Sequence, residues 1–167
     1  MASQKAQKMS LLDLANLLHL TVFSLEKAIQ EVMGKDHIVL TSHAAKYIAA
    51  IEKERKSPLY SGVTLDEAIK NFVDHTSGSD FYEHIGIKKI SDERYQAVIE
   101  GCTFAKLGVH DTLDPQKDIC PLVLSVAAIF KYVEPDRDVV VEPSRFKKEG
   151  CTTEIDFIKI ISSKNQK

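Results

Sequence analysis

Residues 120–133 read CPLVLSVAAIFKYV, and this stretch decides the fold of the chain. Apolar side chains fall on nearly every side of it, as expected of a helix that is buried all round. Pro121 suits the first turn of such a helix, because a proline there gives up no intrahelical hydrogen bond. We therefore predict a core helix here, with the remaining elements packed around it.

Two amphipathic helices are predicted at the amino-terminal end. Residues 9–33 repeat apolar side chains at spacings of three and four, with Ser10 as a possible cap and Gly34 as a possible stop. After a short connecting stretch, either Thr41 or Ser42 can open a second helix. This helix ends in the charged run EKERK, just before a proline.

A third helix and a hairpin come next. Thr64 and Glu67 have the spacing of a capping box, so a helix begins there and ends near His75. The segments IGIKKI at 85–90 and RYQAVIEG at 94–101 are short β-type runs separated by the turn-like SDE. They predict an antiparallel hairpin.

A second hairpin is predicted after the core helix. Residues 138–146 (DVVVEPSRF) and 152–160 (TTEIDFIKI) alternate as strands do, with a turn at KKEG. The expected fold is therefore α+β: amphipathic helices packed on an antiparallel sheet, with one buried core helix between two hairpins.

Length and composition indicate one soluble domain. The chain has 167 residues, 44% hydrophobic and 28% charged, with seven Gly and five Pro. No repeat or change of composition divides it. We predict an amino-terminal tail over 1–8, a single domain over 9–162 and a polar tail over 163–167.

The charge balance bears on partners and location. Lys plus Arg total 22 against 24 for Asp plus Glu, which gives a net charge of -2 and argues against nucleic-acid binding.

The run 122–130 is far shorter than the roughly 20 apolar residues of a spanning helix. No glycine-rich phosphate loop occurs, so a nucleotide cofactor is not expected. The odd number of cysteines, three, favours a reducing compartment, and we predict a cytoplasmic protein.

Two cysteines and a histidine form the densest group of candidate metal ligands. Cys102, His110 and Cys120 follow the pattern GC-x7-H-x9-CP, with Cys151 farther on. Thiolate and imidazole suit zinc or iron, although the spacing matches no compact zinc motif. The alternative is that Cys102 and Cys120 are small buried hydrophobes.

Cys120 also has a possible role of its own. A thiol at a helix amino terminus has a lowered pKa, so Cys120 is either a reactive thiol or an inert core thiol. Cys120 with His110 as base, and Asp111 or Asp114 to orient it, is a further and weaker hypothesis, because sequence proximity does not provide the necessary geometry.

The order of these patterns resembles the vinyl-4-reductase, or hydrocarbon-binding, domain family. This family belongs to the superfamily of TRAPP vesicle-tethering subunits and haem–nitric-oxide sensors. The resemblance covers 85–160 and rests on EGCTFAK, CPLVLSVAAIF, VVVEPSRF and IDFIKI. Relatives often carry cysteines in the last two strands, whereas this chain has EPSRF and Glu154 there. The resemblance implies helices on an antiparallel sheet, a dimer, and an apolar pocket beneath the core helix.

Three functions follow, of which the first is a non-catalytic module that binds or senses a small apolar or partly apolar ligand. Its pocket residues would be Cys120, Leu122, Val123, Val126, Ile129 and Phe130. The alternative for each of these residues is core packing. The second function is a scaffold that forms a homodimer through its helices. The third is a metal- or thiol-dependent enzyme that uses Cys102, His110 and Cys120.

Overall fold

The computed structural model describes residues 11–33, 37–56 and 58–159. The regular elements of this part of the chain are five α-helices, a short 3-10 helix (Val109–Thr112) and five strands. The helices are α1 (Leu11–Met33), α2 (His37–Glu54), α3 (Leu65–Thr76), α4 (Thr103–Lys106) and α5 (Pro121–Val133). The strands are β1 (His84–Lys89), β2 (Arg94–Glu100), β3 (Arg137–Val141), β4 (Arg145–Lys147) and β5 (Gly150–Lys159). The α+β class predicted from the sequence is confirmed.

All five strands join one antiparallel sheet. Its order is β1-β2-β5-β3, and β4 also pairs with β5. The two predicted hairpins are thus joined through β2 and β5. The backbones of β2 and β5 come close at Gly150, the first residue of β5. A Cβ atom at this position would lie 1.9 Å from the carbonyl oxygen of Ile99. A side chain at Gly150 would therefore push β5 away from β2.

Helix α5 lies in the core, as its sequence predicted. The ring of Phe130 meets Tyr95 of β2 and Phe157 of β5 edge-on, with centroids 4.8 and 5.2 Å apart. On the other side of α5, the Tyr60 hydroxyl donates to the carbonyl oxygen of Ser125 at 2.8 Å. Helices α2 and α3 also pack on α5. The core therefore lies between the sheet and the helices.

The start of α2 differs from the sequence prediction. Helix α2 begins at His37, ahead of Thr41 or Ser42. The reason is that residues 37–40 (HIVL) contain no helix breaker, so the helix extends through them. The predicted cap Ser10, the predicted stop Gly34 and the predicted domain limits at 8/9 and 162/163 lie outside the described residues.

The strand predicted over 138–146 is divided. Strand β3 ends at Val141 and β4 begins at Arg145. Pro143 lies between them and has no N–H to donate, which interrupts the ladder.

The predicted capping box of α3 is confirmed, since Glu67 N donates to Thr64 Oγ1 and Thr64 N to a Glu67 carboxylate oxygen. None of the helices described is both long and apolar enough to span a membrane.

Candidate functional site

The structure places most of the predicted pocket residues in the packed core. Val123, Val126, Ile129 and Phe130 are fully buried, and Leu122 is half-buried. Cys120 is also buried, at the residue before α5. None of these six lines the apolar cavity found on another side of α5. Their predicted contact with a ligand remains a prediction.

The apolar cavity lies where α1, α2 and α5 meet. Its volume is about 170 Å³. The residues that line it are Val22, Leu25, Glu26 and Ile29 of α1, Leu40, Thr41 and Ala44 of α2, and Leu124 of α5. Val22 and Leu25 are also 44% and 58% exposed, so they form a rim through which the cavity reaches solvent.

Glu26 is the ionisable residue among those that line the cavity, and its two carboxyl oxygens are buried away from the open space. The residue is 5% exposed, and neither of its carboxyl oxygens has a hydrogen-bond partner among residues 11–33, 37–56 and 58–159. Burial, and then the negative charge of Asp118, raise the pKa of Glu26 to about 7. The carboxyl group is therefore divided between its neutral and charged forms near neutral pH.

Asp118 is a second buried carboxylate close to this wall. It is 1% exposed, and one of its carboxylate oxygens accepts the Asp114 N–H at 2.6 Å. Lys27 Nζ lies 3.5 Å from the same oxygen. The Asp118 carbonyl oxygen accepts the Ser144 N–H at 2.9 Å. Asp118 thus has its own partners, whereas Glu26 does not have any in the described ranges.

The three thiols gather at the start of α5. Cys102, Cys120 and Cys151 are all free and each is 1% exposed. A thiol hydrogen bond from Cys151 lowers the pKa of Cys120, and the amides of Leu122 and Val123 act in the same direction. That bond and burial raise the pKa of Cys151, and burial raises the pKa of Cys102. The pKa of Cys120 is thus lowered mainly by the Cys151 thiol, with the helix amides second, and the thiol is enclosed. Its reactivity remains a prediction.

The sequence analysis did not predict that Cys151 lies next to Cys120. Strand β5 places Cys151 opposite Ile99 of β2 and Phe146 of β4. The two thiols meet where β5 lies against α5.

His110 makes its hydrogen bond with the Lys147 backbone. Its Nδ1 is 3.1 Å from the Lys147 carbonyl oxygen, which makes Nδ1 the protonated nitrogen. Its ring meets Phe146 edge-on at 5.0 Å. No hydrogen bond to Cys120 is found for it in the described part of the chain. Its buried Nε2 has no hydrogen-bond partner there either.

The predicted metal ligands do not form a metal site in the residues described. No group of three His, Cys, Asp or Glu side chains there is arranged to hold an ion. Cys120 lies close enough to Cys102 to add to the rise that burial causes in the pKa of Cys102, whereas His110 bonds to the Lys147 carbonyl oxygen. Zinc or iron binding, and the enzyme hypothesis that depends on it, stay predictions that elemental analysis tests.

Sequence reasoning missed both Glu26 and the cavity. Glu26 follows His19 by seven positions, so the two lie on one face of α1. His19 is buried and stacks on Phe104 with ring centroids 4.1 Å apart. Burial lowers the pKa of His19 to about 4, and the electrostatic effect of nearby His110 acts in the same direction. The His19 ring therefore packs in its neutral form. A face that carries His19 and Glu26 is therefore an inward face of α1.

Comparisons with known proteins give one structural likeness. No family model matches the chain, and no curated protein matches it. Among solved structures, it is similar to a trafficking protein particle complex subunit 3 from Naegleria fowleri, crystallised covalently bound to palmitic acid. The identity is 12% and the TM-score 0.43, over 86% of this chain and 95% of that one. A likeness at this level decides neither ligand nor partner.

Proposed function

We propose that this chain is a non-catalytic module that binds a small apolar molecule in the cavity between α1, α2 and α5. The observation that carries the proposal is the cavity wall, where Val22, Leu25, Ile29, Leu40 and Leu124 supply aliphatic side chains. Water gains few hydrogen bonds in such a space, so an apolar molecule replaces it favourably.

The size of the cavity sets the size of the ligand. A dry protein cavity of about 150 Å³ accepts benzene. The cavity here is about 170 Å³, which suits one ring or a chain of about six carbons. The partly exposed Val22 and Leu25 give such a molecule a route from solvent. The cytoplasmic location predicted from the thiols remains part of this proposal.

Filling the cavity tests the proposal. Ala44 lines the cavity, whereas Ala50 is exposed on the same helix, so Ala44→Phe and Ala50→Phe form a matched pair. We expect toluene to raise the melting temperature of the wild type and of Ala50→Phe, because a ligand stabilises the state that binds it. Ala44→Phe should not respond. Equal responses from the two variants, or none from the wild type, would contradict the proposal.

A second candidate function, a scaffold that pairs with a second copy of itself, rests on the exposed face of α1. Leu18 and Leu25 are 57% and 58% exposed and lie on one stripe with Val22. On α2, Tyr47 and Ile51 are 65% and 61% exposed. Apolar side chains concentrated on neighbouring helices are typical of a surface that another chain covers.

Light scattering across a concentration series tests the homodimer. We expect the wild type to shift from monomer to dimer as its concentration rises, and Leu18→Glu to remain monomeric. Leu107→Glu is the control, since Leu107 is 54% exposed but follows the short α4. A wild type that is monomeric throughout, or a dimer that Leu18→Glu leaves intact, would remove this candidate.

A further inference from the structure

The apolar stripe of α1 belongs both to the cavity and to the surface. Leu18, Val22, Leu25 and Ile29 follow one another at spacings of four, three and four. Leucines seven residues apart thus alternate with β-branched residues seven residues apart, a pattern that favours the packing of two helices along each other. Val22, Leu25 and Ile29 line the cavity, yet Val22 and Leu25 are 44% and 58% exposed. The rim of the cavity is therefore part of an exposed helix-packing stripe.

A similar stripe on α2 runs from the cavity to the surface. Leu40 and Ala44 line the cavity, and Tyr47 and Ile51 continue their spacing of four, three and four. Tyr47 and Ile51 are 65% and 61% exposed. The apolar surface beside the cavity therefore extends over both helices.

We infer that the α1 helix of a second copy of this chain closes the mouth of the cavity, so that the apolar ligand binds most tightly in the dimer. This inference rests on both candidate functions, the ligand site and the homodimer, and adds that each strengthens the other. A ligand in the monomer would still meet water between Val22 and Leu25. A helix laid over these two residues removes that contact, which is favourable for an apolar molecule.

The charges of α1 suit a second copy of the same face. Between Asp13 and Glu26 the helix carries no Asp, Glu, Lys or Arg. Two copies of this stretch can therefore pack together without bringing like charges into contact, which would oppose association.

The exposed apolar area is large enough for a stable dimer. Five side chains of the two stripes are at least 44% exposed: Leu18, Val22, Leu25, Tyr47 and Ile51. Together they expose about 500 Å², and a standard interface buries about 800 Å² per partner, of which somewhat more than half is apolar. The two stripes therefore supply the apolar share of one interface.

Light scattering of a concentration series, with and without toluene, tests the coupling in the wild type. We expect saturating toluene to lower the concentration at which half of the protein is dimeric by about ten-fold, a usual size for coupling between two binding events. Because such coupling is reciprocal, calorimetry should find tighter toluene binding above this concentration than below it. In Ala44→Phe, whose cavity is filled, toluene should leave the dimer unchanged.

Leu18→Glu separates the effect of the dimer from the lining of the cavity. Leu18 does not line the cavity, but it is 57% exposed on the same stripe. We expect this variant to stay monomeric and to bind toluene about ten-fold more weakly than the wild-type dimer. Leu107→Glu, at a position that is 54% exposed and follows α4, should match the wild type in both measurements.

The outcomes distinguish this inference from the functions beneath it. If the wild type dimerises and binds toluene, but toluene leaves the dimer unchanged or dissociates it, the second copy does not complete the site, and both candidate functions stand. A wild type that binds toluene as a monomer at every concentration removes the dimer and this inference, and leaves apolar binding. A wild type that binds no toluene removes the ligand site itself. The wild-type series decides the matter even if Leu18→Glu folds poorly.

Discussion

The Ser144 hydroxyl accepts a hydrogen bond from the backbone N–H of Cys120 at 2.8 Å. Ser144 is fully buried, and its oxygen also lies 2.6 Å from the Thr153 hydroxyl. Since Ser144 accepts from Cys120, its own hydrogen is available to Thr153. One side chain in the segment between β3 and β4 therefore ties the start of α5 to β5.

Ser144→Ala tests this connection. Removing the hydroxyl leaves the Cys120 N–H and the Thr153 hydroxyl without this partner in a buried place. The free energy of unfolding should fall by about 1–3 kcal/mol, the usual cost of a buried group left unsatisfied. Urea denaturation measures it, with Ser61→Ala at an exposed position as the control. A loss no larger than that of Ser61→Ala would show that the bond is not needed.

Phe130→Ala distinguishes a core residue from a ligand contact. The ring packs against Tyr95 and Phe157, so its removal should cost about 3–5 kcal/mol of stability. Leu122→Ala, at a half-buried position of the same helix, should cost less. Urea denaturation compares the two variants. Should Phe130→Ala cost no more than Leu122→Ala while weakening toluene binding, Phe130 would be a pocket residue as the sequence predicted.

Local signals in the sequence predicted most of the elements. The apolar run 120–133 gave α5, the Thr64 and Glu67 spacing gave the start of α3, and alternation gave the strands. These features depend on neighbours within a turn or a strand. Strand β3 is shorter than predicted because Pro143 has no N–H for the strand ladder. The alternation of side chains does not show this effect.

The candidate site depends on contacts between distant segments, so the sequence predicted it poorly. Cys151 of β5 forms a thiol hydrogen bond with Cys120 at the start of α5, although the two residues are far apart in the sequence. The cavity results from how α1 and α2 meet Leu124, and amphipathic patterns predict buried faces without predicting gaps between them. Glu26 sits among apolar residues of α1, but only the folded structure shows that its carboxyl group is enclosed.

The three thiols should react only after unfolding. Each is 1% exposed, so little thiolate meets solvent. Burial also raises the pKa of Cys102, and the hydrogen bond with Cys120, together with burial, raises the pKa of Cys151. With a chromogenic aromatic disulfide we expect little colour from the native protein and three thiols per chain in guanidinium. Cys120→Ser should reduce the unfolded count by one and leave the native protein unreactive. Rapid labelling of native Cys120 would instead support the reactive-thiol hypothesis.

The stability of the protein should depend on pH through Glu26. Its folded-state pKa is raised from 4.5 to about 7, so the folded state holds this proton more tightly than the unfolded state does. This contribution is fully present below the ordinary pKa and is lost as pH rises from about 4.5 to about 7, with a total change of about 3 kcal/mol. The groups that face Glu26 are Asp118, whose charge adds to the shift, and Cys120 at the start of α5.

Glu26→Gln removes this titration and keeps the size of the side chain. In urea denaturation across the same pH range, the wild type should lose stability relative to Glu26→Gln as pH rises. Glu100→Gln, at an exposed position, controls for the other groups that titrate in this range and should follow the wild type. Parallel curves for the wild type and Glu26→Gln would mean that the Glu26 carboxyl group ionises without cost, and hence that it reaches water or a cation in the folded protein.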